Sequence, residues 1–130
     1  MSKLLYEEET FKVIGACIKV HKKLGNGFSE AVYHRALEKE FLNANIPFEQ
    51  QKQVPIYYDG EPLGTFFTAD FVCYNSVLLD IKSVPVIQDQ MQQQVINYLK
   101  SSNIEVGMLI NFGERSLKWK RFVHTIQVEQ

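Results

Sequence analysis

The sequence predicts a mixed α/β fold, an α+β arrangement in which helices pack against a mixed sheet. Two observations predict it. Apolar residues recur at helical spacing in three stretches, and runs rich in β-branched and aromatic residues, bounded by turn residues, fill the intervals. The resulting order is helix, helix, strand, strand, strand, helix, strand, strand.

The first helix is expected from about Glu8 to Leu24, with Phe11, Ile14, Cys17, Ile18 and His21 on one side. Gly25-Asn26-Gly27 ends it, because glycine and asparagine tolerate the left-handed backbone of a helix C-cap. Ser29 is a candidate N-cap for a second helix to about Ala44, whose apolar stripe is Tyr33, Leu37, Phe41 and Ala44, with Ala36 beside it. Asn45-Ile46-Pro47 breaks that helix, and the pattern changes to strands.

Phe48 to Tyr58 reads as a strand, irregular around Pro55. Asp59-Gly60 is a hairpin signal, with Glu61 and Pro62 extending the turn. Thr65 to Cys73 and Val77 to Lys82 follow as strands, joined by a tight turn at Tyr74-Asn75-Ser76. After Pro85 a helix from about Asp89 to Ser102 sets Met91, Val95, Tyr98 and Leu99 on one side. Ile104 to Ile110 is apolar enough for a buried strand, turned by Asn111-Phe112-Gly113, and Leu117 to His124 is the last strand.

No repeat or linker divides the 130 residues, so residues 1–130 are expected to form a single domain. With 45 % hydrophobic and 22 % charged residues the chain has the make-up of a soluble globular protein. Its apolar runs fall far short of the ~20 residues needed to span a bilayer, and the acidic start MSKLLYEEET lacks the apolar core of a signal peptide. Cys17 and Cys73 lie far apart and form no CxxC pair, which fits a reduced, cytoplasmic protein without a four-cysteine metal site. The net charge of -1 counts mildly against nonspecific nucleic-acid binding, although carboxylates gathered at a metal site would mask basic residues elsewhere. There is no GxSxG, HExxH or P-loop pattern.

The hairpin from Thr68 to Lys82 holds the chemistry. With the turn centred on Asn75, Cys73 faces Val77 and Asp70 falls opposite Asp80, their Cβ atoms ~5 Å apart. Lys82 shares that face by the period of two, while Phe71 and Ile81 point to the other side. Two opposed aspartates in an apolar hairpin require either a shared proton or a cation between them. Mg²⁺ suits such a pair, since it takes one or two carboxylates and keeps its remaining positions for water and substrate phosphate. It would acidify a bound water and neutralise a scissile phosphate, with Lys82 orienting the water or stabilising the developing charge. The same spacing also fits a surface Asp–Lys pair, and a one-residue slip would put the aspartates on opposite faces.

Four further features bear on this site. Glu30 precedes Tyr33 and Leu37 by three and seven residues, which sets it on the apolar stripe or in a wet first helical turn. His21 falls on an apolar face, where a hydrogen-bonded core histidine is the commoner outcome than a ligand. Gln94 and Tyr98, at i and i+4, share a helix face and could hold a phosphate or a base, or belong to a glutamine-rich solvated face. Lys118, Lys120 and Arg121 around Trp119 fit either a nucleic-acid grip or a charged outer strand face.

Taken together these residues resemble the GxxExxY family of the PD-(D/E)xK, or restriction-endonuclease-like, nuclease superfamily. Gly27-Phe28-Ser29-Glu30-Ala31-Val32-Tyr33 reads as GxxExxY, preceded by His-x-x-Leu-Gly-x-Gly at His21 to Gly27. Asp70 followed by Asp80-Ile81-Lys82 matches D…(D/E)xK, Gln94 to Leu99 looks like a QxxxY element, and Gly107 to Gly113 is similar to the same family. Asp80 stands where Glu is commoner, and Thr68 where a basic residue is expected. The resemblance implies an αβββαβ core with an extra N-terminal helix and a C-terminal strand. It implies Asp70, Asp80 and Glu30 as metal ligands for Mg²⁺ or Mn²⁺, Lys82 as the catalytic lysine, and Gln94, Tyr98 and His21 as substrate-binding or site-organising residues. The implied activity is hydrolysis of phosphodiester bonds in nucleic acid, with DNA the expected substrate in repair, mobile-element or defence processes. The alternative is a catalytically inactive nuclease fold that binds nucleic acid or a protein partner. No membrane role is implied; a homo-oligomer or a larger complex is compatible.

Overall fold

Left-handed residues and turns divide the chain at nearly the expected points. The computed structural model describes residues 5–124. They form α1 (Glu7–Leu24), α2 (Glu30–Asn43), β1 (Phe48–Tyr58), β2 (Glu61–Cys73), β3 (Val77–Lys82), α3 (Asp89–Lys100), β4 (Val106–Asn111) and β5 (Lys118–Val123). The sheet order is β1-β2-β3-β4-β5, antiparallel throughout except for the β3–β4 pair, which α3 joins as a parallel crossover. No described helix is long and apolar enough to cross a membrane.

Each face of the sheet carries its own apolar core. On one side α1 and α2 bring Val13, Cys17, Tyr33, Leu37 and Phe41 onto Phe71, Leu79, Ile81 and Met108. On the other, Val54, Phe67, Ala69, Val72 and Leu78 pack with Tyr98 of α3. Gly107 lets α3 approach, since a Cβ there would lie 2.9 Å from a Val95 methyl. Cys17 and Cys73 are both free and buried in the first core.

Several sequence expectations need correction. Phe11 is 78 % exposed, because α1 buries the line Val13, Cys17, Val20 and so turns Phe11 outward. Ala44 is exposed as the cap of α2, and Ile46 takes its place in the core. A Schellman-type closure does this: Asn45 has φ 56°, and the Ile46 and Asn45 N–H groups donate to Phe41 O at 2.9 Å and Leu42 O at 3.2 Å. Ser29 occupies the N-cap position of α2 without a side-chain capping bond. The β1–β2 turn needs only Asp59 and Gly60, both at positive φ, so Glu61 already pairs with Tyr58 and β2 starts before Thr65. The irregularity at Pro55 appears as a register shift between Pro55 and Tyr57. The third helix stops at Lys100, where the Ser101 hydroxyl donates to Asn97 O at 2.9 Å. β4 begins at Val106 and keeps Asn111, while Leu117 and His124 flank β5.

The loop after β4 is clamped to the end of β3. Buried Asn111 accepts from the Val84 N–H at 3.0 Å and donates to Val84 O at 2.9 Å. A Cβ on Gly113 would sit 2.2 Å from Val84 O and 2.3 Å from Val84 N. Gly113→Ala is therefore expected to destabilise the protein by about 2 kcal/mol or more, because backbone rather than a flexible side chain would have to yield. Denaturant titration against the unmodified chain measures it; an unchanged midpoint would contradict the clamp.

Candidate active site

β3 is a buried central strand whose alternation points Leu79 and Ile81 into the α1–α2 core and Asp80 and Lys82 to the α3 side. Asp80 is only 5 % exposed. Its Oδ1 lies 3.3 Å from Lys82 Nζ, and its buried Oδ2 has no hydrogen-bond partner among the described residues. Burial pushes the Asp80 carboxyl up to about 6; Lys82 pulls against this, and Asp70 and Glu30 reinforce it. For Lys82, burial opposes the charge, but the Asp80 carboxylate, with Glu30 and Asp70, prevails and raises its pKa.

Asp70 sits where the hairpin stops being regular. The β2–β3 pairing runs Cys73↔Val77, Val72↔Leu78, Phe71↔Leu79, the register expected from the turn, and ends one rung before Asp70 and Asp80 would meet. There the Asp70 side chain replaces the ladder: its Oδ2 accepts the Ile81 N–H at 2.7 Å. The β1–β2 pairing also skips this rung, passing from Gln50↔Phe71 to Lys52↔Ala69. Gln51, in the gap, has φ 49°. Across the gap β2 changes face, since Ala69 and Phe67 lie in the α3-side core but Phe71 lies in the α1–α2 core. Asp70 is the residue at the change, and it lines a cavity on each side.

The smaller cavity, about 130 Å³, brings together Glu30, Asp70, Asp80, Lys82, Gln94 and Tyr98. Glu30 enters it from the exposed first turn of α2. Tyr33 fixes that turn: its hydroxyl donates to Gly25 O at 2.5 Å, and its ring stacks on Phe112 at 4.6 Å. The Ser83 hydroxyl donates to Phe28 O at 2.6 Å, tying the same loop to the chain just after Lys82. Tyr98 is held by stacking on Phe67, with centroids 3.9 Å apart and planes 1° apart. Burial first, then Asp80, raises its phenol pKa.

This donor set fits a divalent cation of the oxygen-loving kind. Asp80, with a buried carboxylate oxygen that has no hydrogen-bond partner among the described residues, lines the same cavity as Asp70, which accepts the Ile81 N–H through Oδ2 alone. Among the described residues no group of three or more His, Cys, Asp or Glu side chains is placed to hold a metal ion, so the carboxylate pair of Asp70 and Asp80 is the donor set on offer. Two carboxylates with room beside them suit Mg²⁺-type ions, which keep several waters.

Two predicted participants lie elsewhere. His21 is buried in α1 with Nε2 2.8 Å from Glu114 O, away from the cavity lined by Asp70 and Asp80. Its apolar neighbours and a single backbone partner give it a core role, bracing the β4–β5 loop. Arg121 donates to Thr10 Oγ1 at 3.3 Å and to Leu5 O, so it fastens the start of the chain to β5. Lys118, Trp119 and Lys120 remain exposed. One neighbour escaped the sequence reading: His34, whose Nε2 lies 3.6 Å from Asp70 Oδ1 and whose ring leans on Phe71. Its spacing of four from Glu30 was the available signal.

Residues 7–122 match the sequence profile of the PD-(D/E)XK nuclease superfamily. The chain belongs to that superfamily. Its mixed sheet, flanked by three helices, is consistent with the restriction-endonuclease-like fold. The fold is similar to that of the crystal structure of SSO0001, with a TM-score of 0.50 and 21 % identity over 94 % of this chain and 61 % of that one. It is also similar to that of an alkaline exonuclease (LHK-Exo) from Laribacter hongkongensis, with a TM-score of 0.54 and 7 % identity over 96 % of this chain and 73 % of that one. The chain thus spans less than two thirds of the SSO0001 chain. No curated protein sequence matches it at a significant level.

Proposed function

We propose that this chain is a Mg²⁺- or Mn²⁺-dependent nuclease that hydrolyses phosphodiester bonds in DNA. The observation that carries the reading is Asp80, whose carboxylate keeps a buried Oδ2 without a hydrogen-bond partner among the described residues while the residue lines one cavity with Asp70, Lys82 and Glu30. A buried carboxylate without a partner is costly, so it persists where a ligand completes it. Asp70 and Asp80 would hold the ion, with Glu30 adding a third carboxylate from solvent. Bound there, the ion supplies neutralisation of phosphate charge and a lowered pKa for water.

The protein's own residues do the rest. The Ile81 N–H bond fixes the Asp70 carboxylate through Oδ2, leaving Oδ1 without a backbone partner among the described residues. Lys82, kept protonated by the surrounding carboxylates, is suited to steady negative charge on the phosphate and to orient the attacking water. Gln94 and Tyr98 line the opposite wall, where an amide and a phenol can bond phosphate oxygens or the sugar. The finer assignment to the GxxExxY family rests on Gly27, Glu30 and Tyr33, which form one unit: the tyrosine pins the glycine loop that presents the glutamate.

Incubation with single- and double-stranded DNA and Mn²⁺ is expected to give cleavage, and Lys82→Ala to lower it by about 10²-fold or more. Calorimetric titration should show Mn²⁺ binding that Lys82→Ala keeps and Asp70→Ala loses. Equal cleavage by the unmodified chain and Lys82→Ala would refute the assignment. Metal-free binding of DNA without cleavage would instead favour the noncatalytic module.

A further inference from the structure

The larger cavity, about 620 Å³, lies between α2 and the middle of β1. Its lining includes His34, Arg35, Gln50 and Gln51, and it shares Glu30 and Asp70 with the smaller one. An occupant of this groove therefore meets the candidate metal site at its end. We propose that the groove seats a single strand of DNA on one side of the scissile phosphate, with Arg35 as its phosphate contact. The proposal rests on the nuclease reading and extends it to the form of the substrate.

Three observations support it. First, the volume is that of sites seating one small-molecule-sized ligand, room for the flexible nucleotides of a single strand. Second, Arg35 is exposed and forms no ion pair among the described residues, although Glu38 follows it at i+3 on the same helix and also lines the groove. A free guanidinium beside a polar groove is a fork for phosphate oxygens. Third, the floor is built by the distorted rung. Gln51 holds a left-handed conformation at φ 49° in mid-strand, which costs a non-glycine residue energy, and it lies in the β1–β2 gap from which Asp70 reaches both cavities. Strain of this kind is retained where the surroundings use it, and here it marks the rung at which Asp70 lines both groove and cavity.

The lining is polar and holds no Phe, Tyr or Trp, and its one ring, the His34 imidazole, already leans on Phe71. Binding should therefore come from phosphate and amide contacts rather than base stacking, and should weaken steeply with salt. The acidic members Glu30, Glu38 and Asp70 oppose a polyanion, so the cation at the adjoining site is part of the binding field.

The test is fluorescence anisotropy with a labelled twelve-nucleotide thymidine strand and Mg²⁺, in a Lys82→Ala background so that the strand persists. Arg35→Ala is expected to raise Kd about fivefold to tenfold and to flatten the slope of log K against log salt by about 0.7, the value for one phosphate contact on a single strand. Arg35→Lys should restore the salt slope but only part of the affinity, since an ammonium keeps the charge and loses the fork, whereas Lys39→Ala, an exposed charge on the same helix, should change Kd less than twofold. An unchanged Kd and salt slope in Arg35→Ala would overturn the groove, as would tighter binding of a twelve-base-pair duplex or of the matching RNA. Cleavage by the unmodified chain is scored separately, so the groove can fail while the nuclease reading stands.

Discussion

Asp80→Asn is expected to abolish cleavage and, in the absence of metal, to stabilise the protein. The two effects share one cause. Asp80 is held in a nearly closed position in which Lys82 reaches one carboxylate oxygen and none of the described residues hydrogen-bonds the other. Its pKa is pushed up to about 6 from the ordinary 3.8, chiefly by burial. Between those values the folded chain keeps a proton that the unfolded chain releases, so stability falls as pH rises through about 4 to 6. Above that window the full penalty, on the order of 2–3 kcal/mol, is present. Asparagine keeps the shape and removes the charge. Thermal melts in EDTA should therefore give matching values for the two proteins near pH 4 and a higher melting temperature for Asp80→Asn at pH 7. Added Mg²⁺ should reverse the order, because only the unmodified chain gains binding energy in the folded state. A less stable Asp80→Asn at pH 7 in EDTA would show that the carboxylate supports the fold rather than being stored in it for a ligand.

Much of this arrangement was legible in the sequence, for reasons that can be named. The hairpin register followed from the turn at Asn75, because a short turn leaves few pairings that keep Phe71 and Ile81 in the core. The α2 stripe Tyr33, Leu37, Phe41 followed from helical spacing. What escaped was non-periodic. A period of two carried through Asp70 assigns it one face, yet β2 turns over at that residue and the carboxylate takes a backbone N–H. Nothing in the letters Gln50-Gln51-Lys52 announces a left-handed residue, since the conformation is imposed by neighbouring strands rather than preferred by glutamine. Phe11 misled because a large apolar residue one position off the buried line satisfies the pattern without facing the core. His21 and His34 exchanged importance for a similar reason. Helical spacing places a histidine on a face, but the tertiary packing decides whether that face meets Glu114 or Asp70.

The double role of Asp70 gives the second large prediction, and two substitutions separate its parts. Asp70 Oδ2 accepts the Ile81 N–H in the sheet interior, while the residue also lines the cavity that holds Asp80. Asp70→Asn can keep an acceptor for that N–H, so its stability should stay within about 1 kcal/mol of the unmodified chain. Asp70→Ala leaves the N–H of a fully buried strand residue without a partner and should cost about 1–3 kcal/mol. Both remove a negative charge from the candidate metal site. Both should therefore lose Mn²⁺ binding by calorimetry and lower cleavage by about 10²-fold or more. Urea titration reads the first effect and cleavage the second. If Asp70→Asn kept full activity, the carboxylate would be a structural acceptor only, and the metal site would have to be built without it. If both variants were equally unstable, the Ile81 bond would not be what holds the fork between β2 and β3, and the charge itself would be supporting the sheet through His34, the only cation-forming side chain in an ion pair with Asp70 among the described residues.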